Sequence, residues 1–249
     1  MEQLKGNVSF DFSGKHFVVT GASSGMGRQV AKELALAGAD VLVLARRMQE
    51  LKTLNEQFPE RITIACVDIT DYDNVEKHVA SFMQSKGALD GSVHAAGVLA
   101  FTPLRAFSEI QAKQMMDVSF WAGINLMRVL TKKKYAAAST AHILFSSVSA
   151  QKGQKGLSAY AAAKAAVQVG VRSLAKEVAE RGHRINTISP GWVRTEMTRE
   201  TLDSEQIATE HLLGIGNPED VSGMVLFLLS DRAKWITGAD FVVDGGYLV

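Results

Sequence analysis

His16-Phe17-Val18-Val19-Thr20-Gly21-Ala22-Ser23-Ser24-Gly25-Met26-Gly27 passes from an apolar, partly β-branched run into a turn holding three glycines. The stretch after it, Met26 to Leu36, sets Val30, Leu34 and Ala37 on one helical stripe. A strand, a tight turn and an amphipathic helix in that order form the first half of a βαβ unit. Glycines at 21, 25 and 27 let the backbone turn sharply and approach a ligand closely, so that a pyrophosphate can sit on the unpaired N–H groups at the positive helix end. The spacing is G-x-x-x-G-x-G. By itself it also suits an ordinary βα turn.

Working outward, similar apolar runs recur at Val41-Leu42-Val43-Leu44, Ile62 to Val67, Ser92-Val93-His94-Ala95, His142-Ile143-Leu144-Phe145, Arg184 to Ile188 and Phe241-Val242-Val243. Runs of near-continuous apolar character predict strands buried on both faces, as in a parallel sheet. Helical patterns separate them, with Val75, Val79, Phe82 and Met83 aligned over Tyr72 to Gln84 and an Ala-rich stretch over Ser158 to Glu180. The alternation predicts an α/β fold with a doubly wound sheet of seven mainly parallel strands and helices on both faces. Neither a repeat nor a low-complexity linker divides the chain, and the four prolines (59, 103, 190 and 218) fall outside the helical patterns. One domain over 1–249 is expected, with 1–13 a leading segment and about 195–217 the least regular stretch, a substrate lid.

Composition narrows the function. Hydrophobic residues make up 47% of the 249 and charged residues 21%, ordinary globular usage. Lys+Arg 27 against Asp+Glu 26 leaves a net charge of +1, which argues against nucleic-acid binding. The lone Cys66 excludes an internal disulfide and is expected to be a buried strand residue. The segment from Met1 lacks a signal-peptide core and no window has the apolar length of a spanning helix, so a cytoplasmic protein with no membrane partner is expected. The six histidines have no metal-ligand spacing, so no metal is expected, and Lys132-Lys133-Lys134 reads as a solvated helix end. Met115, Met116 and the Met26 helix face read as core.

Tyr160-Ala161-Ala162-Ala163-Lys164 is the second chemical signal. Positions i and i+4 share a helix face, so the Lys164 ammonium is expected near the Tyr160 phenol, lowering its pKa and making it a usable general acid/base. With the glycine turn, Ser147 thirteen residues before Tyr160, Pro190-Gly191-Trp192-Val193-Arg194-Thr195 and Val243-Asp244-Gly245-Gly246, the chain resembles the short-chain dehydrogenase/reductase family from about Phe12 to Val249. Within it, the chain is most similar to bacterial 3-oxoacyl-acyl-carrier-protein reductases.

The resemblance implies a Rossmann domain that uses NADP to transfer hydride between nicotinamide and a ketone or secondary alcohol. Tyr160 would be the proton donor, Ser147 would bond the substrate oxygen, and Lys164 would hold the nicotinamide ribose and tune Tyr160, with Ser146 a structural neighbour. It also assigns Gly21, Ser23, Ser24, Gly25, Met26, Gly27, Arg46, Asp68, Ile69, Ala96, Gly97, Pro190, Gly191, Val193 and Thr195 to the cofactor, alongside Tyr160 and Lys164. Asp68 matches an adenine contact and also reads as a loop or capping Asp. A homotetramer is implied, and an acyl-carrier protein is a possible partner, with Lys132, Lys133, Lys134 and Arg181 a candidate docking edge. Alternatives are a sugar, polyol or other small-alcohol dehydrogenase, and a cofactor-binding sensor or scaffold without turnover.

Two positions depart from the family pattern. His94-Ala95-Ala96-Gly97 stands where Asn-Asn-Ala-Gly is usual, and His94 reads as a packed structural residue. Ser119 stands where an Asn offers its main-chain carbonyl to a relay water at a helix distortion, which leaves that distortion to be explained.

Val43-Leu44-Ala45-Arg46-Arg47 ends the second strand, where an acidic residue would accept from the NAD ribose. Ala45 leaves room instead, Arg46 is placed for a 2′-phosphate and Arg47 reads as a solvated first-turn residue. NADPH is therefore expected to be preferred over NADH. Ala45→Asp with Arg46→Ala should reverse that preference in kcat/KM, and a wild-type enzyme using NADH as well as NADPH would contradict the assignment.

Overall fold

The computed structural model describes residues 8–199 and 209–249. Strands β1 (His16–Thr20), β2 (Asp40–Ala45), β3 (Ile62–Cys66), β4 (Leu89–His94), β5 (Ala136–Phe145), β6 (Arg184–Pro190) and β7 (Asp240–Val243) form one sheet in the order β3-β2-β1-β4-β5-β6-β7. Every neighbouring pair is parallel. Helices α1 (Gly25–Leu36), α2 (Met48–Gln57), α3 (Tyr72–Lys86), α4 (Glu109–Met116), α5 (Ala122–Leu130), α6 (Ser158–Val178) and α7 (Pro218–Leu229) carry the chain back between strands.

Alternation along the strands builds two cores. Phe17, Val19, Val41 and Val43 face α1, α2 and α7 through Leu34, Leu51 and Val225. Val18, Leu42 and Leu44 face the other way, onto Val79 of α3, Leu126 of α5 and Val167 of α6. The predicted strands and helices are present. β5 begins at Ala136, six residues before its expected start, because the Ala136–Thr140 portion lacks the apolar signal.

Cys66 corrects the expectation of burial. It is exposed, with Sγ 3.2 Å from the Arg46 carbonyl. β3 is an edge strand with one side open, and of its five residues only Ile62 and Ala65 are buried. Part of the expected lid, 200–208, and residues 1–7 of the leading segment lie outside the described residues. What is described of those stretches includes Phe12, buried with its N–H 2.7 Å from the Ala37 carbonyl, and a 3-10 turn at Glu196–Thr198.

The sheet also buries histidines. His142 bonds Ser92 Oγ through Nδ1 at 2.8 Å and Thr140 Oγ1 through Nε2 at 2.7 Å, and that hydroxyl reaches His183 Nδ1 at 2.8 Å. His94 lies 2.9 Å from Thr20 Oγ1 and 3.0 Å from the Val118 carbonyl. Burial pushes the pKa of His94 down to about 4 and that of His142 to about 3. Between pH 6.5 and these values the unfolded chain binds protons that the folded chain refuses, so stability falls as the pH is lowered. Carboxylates such as Glu76, held at about 2 by its hydrogen bond from Lys132, add to the loss only below their ordinary value of 4.5. The urea midpoint should therefore drop between about pH 6.5 and 4.5. A midpoint that is constant or rising over that window would contradict neutral, buried histidines.

Candidate functional site

β1 has β2 on one side and β4 on the other, so the chain leaves these strand ends in opposite directions and a crevice opens between them. A groove of about 200 Å³ lies there. The glycine turn forms one wall, with Gly21, Ser23, Ser24, Gly25, Met26 and Gly27 on its lining. Arg46, Asp68 and Ile69 border it from the ends of β2 and β3, Ala96 and Gly97 from the end of β4, and Thr195 from beyond β6. Gly21 has φ +68°, and a Cβ there would stand 2.7 Å from the Ala96 nitrogen, so the two loops touch backbone to backbone. Asp68 accepts from Thr70 N–H and Oγ1 at 2.9 and 2.7 Å, which lowers its pKa, and lies 3.9 Å from Arg46. It is thus both a loop-shaping Asp and a groove residue.

A second, smaller pocket of about 70 Å³ adjoins the groove. Met26 and Thr195 border both, and Ser147, Tyr160, Pro190, Gly191 and Val193 line the smaller one. Ser147 caps the 3-10 turn Val148–Ala150, accepting from Ser149 N–H at 3.1 Å, and shares the pocket with Tyr160, whose phenol its hydroxyl lowers. Ser146 is turned away, donating to the Lys164 carbonyl at 2.9 Å. Lys164, 4% exposed, lies outside both linings; its Nζ donates to the Phe145 carbonyl at 2.9 Å and sits 5.7 Å from the Tyr160 ring centroid.

The electrostatics differ from the sequence expectation. Burial pushes the Tyr160 phenol up and outweighs the lowering by Ser147, while burial pushes Lys164 down to about 8. The i, i+4 spacing does bring ammonium and ring together, but the ammonium is anchored on the Phe145 carbonyl and the phenol is poorly solvated. In this chain Tyr160 is held protonated at neutral pH.

The two departures from the family pattern meet each other. Asp117–Trp121 forms a π turn between α4 and α5, with Ser119 at its centre. A carbonyl only accepts, so His94 Nε2–H donates to Val118, and Nδ1 accepts from Thr20 Oγ1, which in turn accepts from Ala96 N–H at 3.2 Å. The imidazole thus ties the distorted helix to the ends of β1 and β4. Ser119 Oγ is buried with no protein partner and faces Gly97, where a Cβ would lie 3.9 Å from it and 3.5 Å from Lys164 Nζ. The open glycine face, the orphaned hydroxyl and the buried ammonium fit the ribose and nicotinamide end of a dinucleotide.

Sequence reasoning missed Leu99, Gln154, Leu157, Trp192 and Met197 of the smaller pocket, and the role of Arg47 at the groove. Trp192 carried a signal, its place within the Pro190–Thr195 motif, and Met197 falls in the stretch of about 195–217 expected to be a substrate lid. Among the described residues no cluster is suited to a metal and no helix is long and apolar enough to cross a membrane.

Residues 21–248 match a family model described as Enoyl-(Acyl carrier protein) reductase. The 3-oxoacyl-[acyl-carrier-protein] reductase FabG of Chlamydia trachomatis is 32% identical over 239 residues, 93% of this chain and 96% of that protein. FabG of Vibrio harveyi is 30% identical over 243 residues, 96% and 100% of the two chains. A short-chain dehydrogenase/reductase of Brucella melitensis, titled glucose/ribitol dehydrogenase, superposes with a TM-score of 0.92 at 27% identity, covering 97% of this chain and 100% of its own. Sequence, fold and the ordered motifs agree: this chain belongs to the short-chain dehydrogenase/reductase family of oxidoreductases.

Proposed function

We propose that the chain is an NADP-dependent oxidoreductase that reduces a ketone to a secondary alcohol, with a 3-oxoacyl thioester the substrate class its pocket suits best. The observation that carries this is that Ser147 and Tyr160 line one pocket beside the groove, together with Leu99, Val148, Leu157 and Met197. Apolar walls favour an acyl chain over a polyol, whose hydroxyls would lose water there without replacement. The two FabG relatives, named for 3-oxoacyl reduction on a carrier protein, point the same way.

When bound, the nicotinamide supplies the hydride to the carbonyl carbon. Ser147 Oγ donates a hydrogen bond to the carbonyl oxygen, and Tyr160 Oη passes its proton to that oxygen as negative charge develops on it. A phenol pushed up by burial is fully protonated at neutral pH, the form this step needs. The Lys164 ammonium steadies the phenolate left behind and holds the ribose. Ser119 and the loop at Ala96-Gly97 seat the nicotinamide end; Arg46 and Asp68 seat the adenosine end.

Delivery by an acyl-carrier protein rests on less. Lys132 and Lys134 of the candidate docking edge are paired to Glu76 at 2.7 and 3.2 Å, and Arg181 donates to the Thr131 carbonyl at 2.9 Å. The edge is contiguous but partly neutralised. A homotetramer agrees with the apolar side chains left exposed: Ile110, Trp121 and Val169 around α4 to α6, and Trp235 with Val249 near β7.

Tyr160→Phe keeps the ring and removes the proton. Turnover of a 3-oxoacyl thioester with NADPH should fall about 10²–10⁴-fold with cofactor affinity little changed, whereas Lys164→Ala should impair both. A Tyr160→Phe enzyme that kept more than about half its rate would exclude this proton donor.

A further inference from the structure

At the mouth of the groove, the second arginine after β2 already grips an anion. Arg47 Nη1 lies 2.8 and 2.7 Å from the two Glu196 carboxylate oxygens, and its Nε and Nη2 lie 3.3 and 3.2 Å from Ser23 Oγ. That carboxylate is held below the usual range, chiefly by the Arg47 hydrogen bonds and to a smaller extent by the Ser24 hydroxyl. One edge of the guanidinium therefore holds an oxyanion beside the lining of the groove while the other donates to Ser23 Oγ. Packing does not impose the arrangement: the side chains are 44% and 55% exposed, where an ion pair is weak. Arg46, by contrast, is 64% exposed and reaches Asp68 at 3.9 Å. Of the two arginines, Arg47 has its fork preset for an anion.

We propose that Arg47, with Ser23 and Ser24, receives the cofactor's 2′-phosphate, and that Glu196 is a resident carboxylate which this phosphate displaces, so that the Arg47–Glu196 pair tunes the choice between the two nicotinamide dinucleotides. The inference rests on the dinucleotide reading above and names the residues that discriminate within it. A phosphate brings nearly two charges and three acceptor oxygens to a fork held by one carboxylate, and so wins the exchange. A ribose hydroxyl brings no charge and leaves the pair closed. Glu196 thus opposes only the phosphorylated cofactor, and only through Arg47.

The test is calorimetric titration of 2′,5′-ADP and of 5′-ADP into wild type, Arg47→Ala, Glu196→Gln and the double variant, with thermal melts confirming each fold. Arg47→Ala should weaken 2′,5′-ADP about tenfold or more, the loss of a charge-assisted pair. Glu196→Gln should tighten it about two- to fivefold, the release of an exposed ion pair. Glu196→Gln should have no effect in the Arg47→Ala background, and 5′-ADP should bind all four alike. Wild type binding the two probes equally would overturn the NADP reading and this inference together. Wild-type discrimination that survives Arg47→Ala, or a Glu196→Gln chain that binds 2′,5′-ADP no tighter, would overturn this inference alone.

Discussion

Parallel strands joined by crossovers must all present the same end to each loop, and a sheet built outward in both directions from β1 has one place where neighbouring loops part. That place is the β1–β4 boundary. The rest of the site depends on it. The glycine turn leaves β1 toward α1, the Ala96-Gly97 loop leaves β4 the other way, and their backbones touch at Gly21 before diverging. β5 and β6 deliver Ser147 and the Pro190–Thr195 loop at the same edge, and α6 lays Tyr160 and Lys164 across it.

Within this frame, buried polar contacts do the positioning. The π turn at Asp117–Trp121 is a local fault in a helix, and such faults persist where something outside the helix holds them. Here the holder is His94, a ring with one fixed donor and one fixed acceptor, neutral because it is buried. Asn at 94 or at 119 would each solve part of the problem; this chain solves it with His94 and leaves the Ser119 hydroxyl unpartnered toward Gly97. The same burial logic sets the chemistry at Tyr160. Low solvation raises the phenol and lowers the ammonium, so the phenol keeps its proton at neutral pH, as the proposed donor role requires.

Much of this was legible in the sequence because it is local. Strand and helix order follows from hydrophobic period, and the glycine turn, Ser147, Tyr160 and Lys164 follow from motif spacing. What was not legible depends on partners distant in the chain. Cys66 is exposed because β3 ends the sheet, a fact of topology that its apolar neighbours do not encode. Arg47 reads as a solvated helix residue until Glu196, 149 positions away, is brought to it. The Tyr160–Lys164 spacing gives proximity but not the field, which is decided by the Phe145 carbonyl and by burial.

The central claim is that the ligand sits at the carboxyl ends of the strands. A larger cavity, about 510 Å³, lies at the opposite edge of the sheet among Lys15, Asp90, Arg184 and Asp231, and competes on size alone. Hydrogen–deuterium exchange with and without saturating NADPH separates the two directly. The account predicts protection of 20–27, 95–98, 117–121 and 145–149, with the cavity at the other edge unchanged. Protection centred on residues 9–15 and 229–234, with the glycine turn and the π turn unaffected, would contradict it.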